Sequence, residues 1–295
     1  MKMVQQVSII GAGGKMGSWF SRYFSEKLGT KVLAYDTNAL WRPPTHVTLC
    51  SNVNSCVSKA DLVLVCVPII SAPSVLKSCA LNMKSGAVLA EISSIKAKTF
   101  LILKKYSNKI FPLCIHPMFG PGASSISGTR ILLVPVKNKK KESDTISSLM
   151  RGSEIMVLPS AEVHDKYMAI ILGLTYFVNM VLAKILSKED ILYLEKISGT
   201  FFGIQLLLMQ GIISDDPDLI VSIISRNSHT KKRISEYLSE ADTLRSIILG
   251  GRDSELLRDL SKVKSIFGRS FDLQMSYRNM YTLFGKQKGA LNTGS

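Results

Sequence analysis

The segment Ile115-His116-Pro117-Met118-Phe119-Gly120-Pro121 puts an imidazole at the end of an apolar run and stiffens the backbone beyond it with two prolines and a glycine. Imidazole changes charge near neutral pH, so His116 at such an edge can take a proton from an alcohol. Glu91-Ile92-Ser93-Ser94-Ile95-Lys96 likewise carries two hydroxyls and a lysine past an apolar run. Such groups at the carboxyl end of a strand fall where ligands bind in α/β sheets; equally, Ser93 or Ser94 can cap a following helix. In His164-Asp165 the acid can orient the ring or cap a helix. All three of these other histidines, His164, His46 and His229, are weaker candidates than His116. His46 follows Pro43-Pro44 as a surface residue, and His229 lies in a basic stretch that suits a solvated helix face.

A base that removes an alcohol proton needs an electron acceptor nearby, and the N-terminal segment offers a place for one. Val7-Ser8-Ile9-Ile10 runs into Gly11-Ala12-Gly13-Gly14-Lys15-Met16-Gly17, a strand followed by a glycine turn and a helix. Gly11 permits the tight turn, and Gly13 leaves the backbone open to a pyrophosphate. The helix opening at Gly14, Lys15 and Met16 offers unpaired N–H groups and a positive dipole end. Gly17 falls one place later than the third glycine of G-x-G-x-x-G. Asp36 ends the next strand at about the distance where an acid accepts hydrogen bonds from both ribose hydroxyls and repels a 2′-phosphate. It favours NAD, a strand-end cap being its other reading, while Arg42 leaves some tolerance of NADP. Val67 and Pro68 close a further strand at the switch-point crevice, where they can wall a dinucleotide. With NAD there, hydride can leave for the nicotinamide as His116 takes the proton.

These residues need a scaffold of alternating strands and helices. Val7–Gly11, Val32–Asp36, Leu62–Val67, Ala87–Glu91, Ile110–Ile115 and Ile131–Val136 read as strands, and Met16–Leu28 as an amphipathic helix. Near-continuous apolar strands suit a sheet buried on both faces. The expected class is α/β: a Rossmann-type, doubly wound parallel sheet over residues 1–158, then an all-α domain over 159–295. In the second half Glu162–Leu186, Leu192–Ile213, Pro217–Ile248 and Ser254–Phe284 read as helices, some of them broken. Their apolar surface exceeds what one small domain buries, which predicts a homodimer.

Composition removes other classes. The net charge of +15 raises nucleic-acid binding, but the basic residues are scattered. The one dense cluster, Lys137, Lys139, Lys140 and Lys141, reads as a solvated loop, so no nucleic-acid partner is expected. A positive field also attracts an anionic small substrate and a dinucleotide. No run reaches the ~18 apolar residues of a membrane span. The richest stretch, Met168–Leu186, is interrupted by Thr175, Asn179 and Lys184 and reads as a buried helix, so no membrane partner is expected. Met1–Ile10 reads as a first strand and not as a signal peptide, pointing to the cytoplasm. The five cysteines, Cys50, Cys56, Cys66, Cys79 and Cys114, lack any C-x-x-C pair and read as reduced, mostly buried thiols, with no metal site.

Taken in order along the chain, the motifs resemble the prephenate dehydrogenase family, which includes arogenate and cyclohexadienyl dehydrogenases. The resemblance rests on Gly11–Gly17, Ser94-Ile95-Lys96, the His116–Pro121 segment, His164–Ala169 and Asp216-Pro217. It implies a Rossmann domain followed by a helical, dimer-forming domain, and NAD-dependent oxidative decarboxylation of prephenate to 4-hydroxyphenylpyruvate in tyrosine biosynthesis. His116 would bind the ring hydroxyl and assist its deprotonation, with Ser94 holding the same hydroxyl or His116. His164 would join the substrate site.

Two positions depart from the family pattern. Tyr176 stands where many members have a second histidine, and Ile212 where members carry an arginine for a substrate carboxylate. A desolvated carboxylate without a cation is costly. Arg226, Arg130 or Lys166 could replace the arginine. Two alternatives follow: an arogenate dehydrogenase, or a non-catalytic NAD-binding regulatory module with a degraded substrate site.

Overall fold

The computed structural model describes residues 4–292. Met1, Lys2 and Met3, the start of the expected first strand, lie outside the described residues. The chain divides into two compact units, Met1–Met168 and Ala169–Ser295.

The first unit is built on eight strands: β1 (Gln6–Ile10), β2 (Lys31–Tyr35), β3 (Val47–Leu49), β4 (Leu62–Val65), β5 (Val88–Glu91), β6 (Phe111–Pro117), β7 (Arg130–Leu133) and β8 (Glu154–Val157). Its helices are α1 (Lys15–Arg22), which runs on into a π-helical turn (Tyr23–Lys27), α2 (Val53–Val57), α3 (Ala72–Asn82), α4 (Ala97–Tyr106), α5 (Lys139–Leu149) and α6 (Ala161–Met168). The strands lie in the order β3-β2-β1-β4-β5-β6-β7-β8. The order reverses at β1 and β4, which leaves a crevice at their carboxyl ends where such sheets bind ligands.

The expectation of a parallel sheet holds from β3 to β6 and fails at β7, which runs antiparallel to β6, with β8 parallel to β7. Residues 118–129 hold no helix to carry the chain back to the start of a parallel strand, so the chain returns directly. The sequence reading also missed β3 and β8, both short and mostly exposed or half-buried, where apolar patterning is weakest.

Both faces of the sheet are covered, which accounts for the continuous apolar strands. On one face Val7, Ile9, Leu62, Leu113 and Ile115 pack with Trp19 and Phe20 of α1. On the other, Ile10, Val63, Leu89 and Cys114 pack with Leu76 of α3 and Leu103 of α4. Burying each such Leu or Ile contributes about 1.5–3 kcal/mol. The lysine cluster is not a loop: Lys139, Lys140 and Lys141 open α5. Asn138 caps it by accepting from the Lys141 N–H, and the Glu142 carboxylate accepts the N–H groups of Val136, Lys137 and Asn138.

The second unit is helical. It begins with a π-helical segment (Ala169–Leu174), followed by α7 (Thr175–Leu186), α8 (Ile191–Ile197), α9 (Thr200–Ile213), α10 (Pro217–Arg226), α11 (Ser228–Leu249), α12 (Asp253–Gly268) and α13 (Leu273–Asn292). Asp216 caps α10 with Pro217 at its first turn, and Gly251, at φ +62°, turns the chain between α11 and α12. The reading of Met168–Leu186 as a buried helix is overturned. The stretch Ala161–Leu186 is long and apolar enough to cross a membrane by length and composition, and only 22% of its most apolar window is buried. Ile170, Ile171, Val181 and Ile185 are exposed because the core cluster centred on Leu186, Leu206 and Met209 is too small to cover them.

Candidate functional site

His116 lies at the carboxyl end of β6, opposite Leu132 of β7. His164 is wholly buried on α6, whose start is secured by Ser160 Oγ accepting the Val163 N–H. The two rings meet, with His116 Nδ1 3.0 Å from His164 Nε2. His164 Nδ1 in turn lies 2.8 Å from Asp165 Oδ1. The Asp165 carboxylate also accepts the N–H of Lys96 at 2.8 Å and of Ala97 at 3.0 Å, so it caps α4 from outside that helix. Asp165 therefore both orients a ring and caps a helix, and neither Ser93 nor Ser94 caps α4.

This chain of contacts assigns the tautomers. A carboxylate can only accept, so His164 donates from Nδ1 and accepts at Nε2. His116 must then donate from Nδ1, which leaves its Nε2 lone pair without a proton. His116 as a whole is 5% exposed. Burial, aided by the positive charge of Lys96, holds His116 well below the ordinary histidine range. Burial also lowers His164, against the opposing pull of Asp165. At neutral pH His116 is an uncharged base.

Beneath the histidines lies a buried ion pair. Lys96 Nζ and Glu91 Oε1 are 2.6 Å apart, and both side chains are 0% exposed. Lys96 also donates to the carbonyl of Ile115, and Glu91 accepts the Ser93 N–H at 2.9 Å and the Cys114 thiol at 3.1 Å. Lys96 therefore points inward to the protein. Ser94 is half-buried and its hydroxyl has no protein partner among the described residues.

The glycine loop follows β1. Gly11 has φ +83°, and a Cβ there would lie 2.5 Å from the Cys66 carbonyl oxygen and 2.9 Å from Val67 Cγ1. The segment ending β4 thus packs on the turn, with Pro68 next in sequence. A Cβ on Gly17 would lie 2.0 Å from the Gly11 oxygen, so this glycine lets α1 sit against the turn. Gly13 donates its N–H to Asp36 Oδ2 at 2.8 Å. Its missing side chain admits protein as well: a Cβ would be 2.9 Å from Asp36 Cγ and 3.0 Å from Trp41 Cγ. The start of α1 has no side-chain cap at Gly14 and no acid in its first turn, which contains Lys15 and Met16. An uncapped helix start beside a carboxylate held over a glycine turn fits a dinucleotide, phosphates at the helix and ribose at the acid.

Within the second unit, Tyr176 donates to Asp215 Oδ2 at 2.7 Å, and burial with that carboxylate raises its phenol well above the usual range. Ile212 is buried there, and Arg226 is exposed at the end of α10. Arg130 is paired with Glu154 and Lys166 with Glu162. All five cysteines are free, and burial pushes the Cys79 thiol up to about 12. Among the described residues no group of three His, Cys, Asp or Glu side chains could hold a metal. Sequence reasoning missed the contact between His116 and His164, the burial of Lys96 with Glu91, and Trp41. A lysine beside apolar residues was the only available signal for the second, and the others have none.

Two family models match the chain. The prephenate dehydrogenase nucleotide-binding domain matches residues 27–151, and the prephenate dehydrogenase dimerization domain matches residues 160–262. A probable arogenate/prephenate dehydrogenase of Methanocaldococcus jannaschii is 25% identical over 274 residues, covering 89% of this chain and 61% of that protein. The chain thus spans about three fifths of that relative's length. The fold is shared with the prephenate dehydrogenase of A. aeolicus, crystallised with hydroxyphenyl propionate and NAD+ (TM-score 0.71, 20% identity, 91% of this chain and 99% of that one). It is also shared with Synechocystis arogenate dehydrogenase (TM-score 0.65, 17% identity, 90% of this chain and all of that one).

Proposed function

Because the chain belongs to the prephenate dehydrogenase family, we propose that it converts prephenate to 4-hydroxyphenylpyruvate with NAD, as a homodimer. The observation that carries this reading is the relay from Asp165 through His164 to His116, which leaves one unprotonated imidazole nitrogen at a strand end. Gly11, Gly13, Gly14, Lys15, Met16, Gly17, Val67 and Pro68 would hold the dinucleotide, and Asp36 its ribose. When bound, the nicotinamide supplies the hydride acceptor for the hydroxyl-bearing ring carbon.

His116 Nε2 takes the ring hydroxyl proton as that carbon becomes a carbonyl. Loss of carbon dioxide then returns electrons to the ring, and the new phenolate recovers its proton from His116. His164 and Asp165 share the transient positive charge through the relay. Ser94, with its hydroxyl uncommitted, holds the substrate oxygen. A cation for the ring carboxylate would come from Arg226, Arg130 or Lys166; the last two form exposed ion pairs with Glu154 and Glu162. The exposed apolar helices of the second unit suit burial against a second copy, in keeping with the dimerization-domain match.

The deciding experiment is NAD reduction by the purified protein with prephenate and arogenate offered separately. Turnover with prephenate supports the reading; turnover with arogenate alone moves the substrate to the amino acid. No turnover with either, while NAD still binds, would favour a non-catalytic module. Asp36→Ala is expected to weaken NAD binding roughly 10–100-fold, the loss of hydrogen bonds to a charged group. Calorimetric titration should show the preference over NADP shrinking, and an unchanged preference would mean that Asp36 does not meet the ribose.

A further inference from the structure

We infer that Lys96 is the positioning residue that holds both histidines of the site in register. Its ammonium donates to the carbonyl of Ile115, the residue that leads into His116. Its backbone N–H donates to Asp165 Oδ1, the same oxygen that orients His164. One residue therefore ties down the strand end that presents one imidazole and the carboxylate that aims the other. The inference rests on the reading of His116 as the base.

Stability alone gives no reason for an ion pair here. A buried pair is commonly no better than well-packed apolar residues of the same volume. A fixed ammonium near a base has a second effect, because it disfavours a neighbouring imidazolium. His116 would then release its proton promptly after each cycle. The charged and titratable groups that act on its ring are Lys96, from the segment after β5, and His164 of α6, which Asp165 holds in turn. Leu132 across from it on β7 is apolar.

The test is a histidine NMR titration of the full chain, free of substrate and cofactor, with isotope-labelled rings. Lys96→Met is compared with the double variant Lys96→Met, Glu91→Leu, which removes both charges and strands neither. In Lys96→Met the His116 titration midpoint should rise by about one pH unit, with a smaller rise in the double variant. In both, the single Nδ1–H tautomer should give way to a mixture. The acid limb of kcat/KM should move up with the midpoint, and KM should change little. A folded variant with the wild-type midpoint and tautomer would overturn the inference, as would failure of the double variant to fold, which would mark an ordinary structural pair. Because the titration needs no substrate, a wrong substrate assignment leaves this result standing, and a negative result here leaves the proposed reaction standing.

Discussion

His116→Asn is expected to lower turnover by about 10²–10⁴-fold, the usual contribution of a positioned general base, while dinucleotide binding survives. Asparagine can still donate to His164 Nε2, so the buried partner is not stranded, but it offers no basic lone pair at the position of Nε2. The wild-type pH profile should carry the same signature. In the proposed mechanism His116 acts when neutral, and its folded-state value lies well below the ordinary one because it is buried beside Lys96. Activity should therefore stay level as pH falls through the ordinary histidine range and decline only in more acid solution. Stability follows the same sign. The unfolded chain takes up protons at its histidines near pH ~6.5, whereas folded His116 and His164 resist them. The stability tied to these rings is thus complete above that pH and lost as pH falls below it. Steady-state rates and calorimetric dinucleotide titration of the variant check the first claim. Equal turnover by wild type and variant would remove His116 from the mechanism.

Gly17→Ala is expected to abolish dinucleotide binding and to lower the melting temperature on the order of 10 °C. The added Cβ would lie 2.0 Å from the Gly11 oxygen and 2.8 Å from the Ala12 Cα. Both are backbone atoms, so no side chain can swing away to make room. Overpacking a folded core commonly costs about 1–3 kcal/mol. A backbone overlap this deep belongs at or beyond the upper end, and each kcal/mol shifts a domain of this size by about 2–4 °C. Relief requires α1 to move off the turn, which displaces the amides at Gly14, Lys15 and Met16. Gly120→Ala is the control, since a Cβ there meets nothing within 4 Å. A Gly17→Ala protein with the melting temperature and NAD affinity of the control would show that the helix start is not the phosphate site.

Much of this protein is readable from its residues. Apolar runs of strand length between helical stretches specify the doubly wound sheet, because strands covered on both faces admit few polar side chains. The glycine turn is local in the same sense: Gly11 adopts the positive φ that a residue with a side chain avoids. The ends of the sheet were less legible. The reversal at β7 depends on what a connection lacks, and β3 and β8 are too short to show a pattern.

Residue types and their spacing carry the inventory: a glycine turn, a carboxylate near it, a histidine at a strand end, and apolar helices with more surface than one chain covers. Such features depend on neighbours within a turn or a strand, so residue type and spacing express them. The partnerships come from long-range packing. His116 and His164 stand 48 positions apart, and Lys96 and Asp165 stand 69 apart. Their contacts exist because β6, α4 and α6 converge, and no local periodicity encodes that convergence. The tautomer, the uncharged state of His116 and the inward aim of Lys96 all follow from burial and from donors and acceptors brought in by other elements, which is why they became legible only in three dimensions.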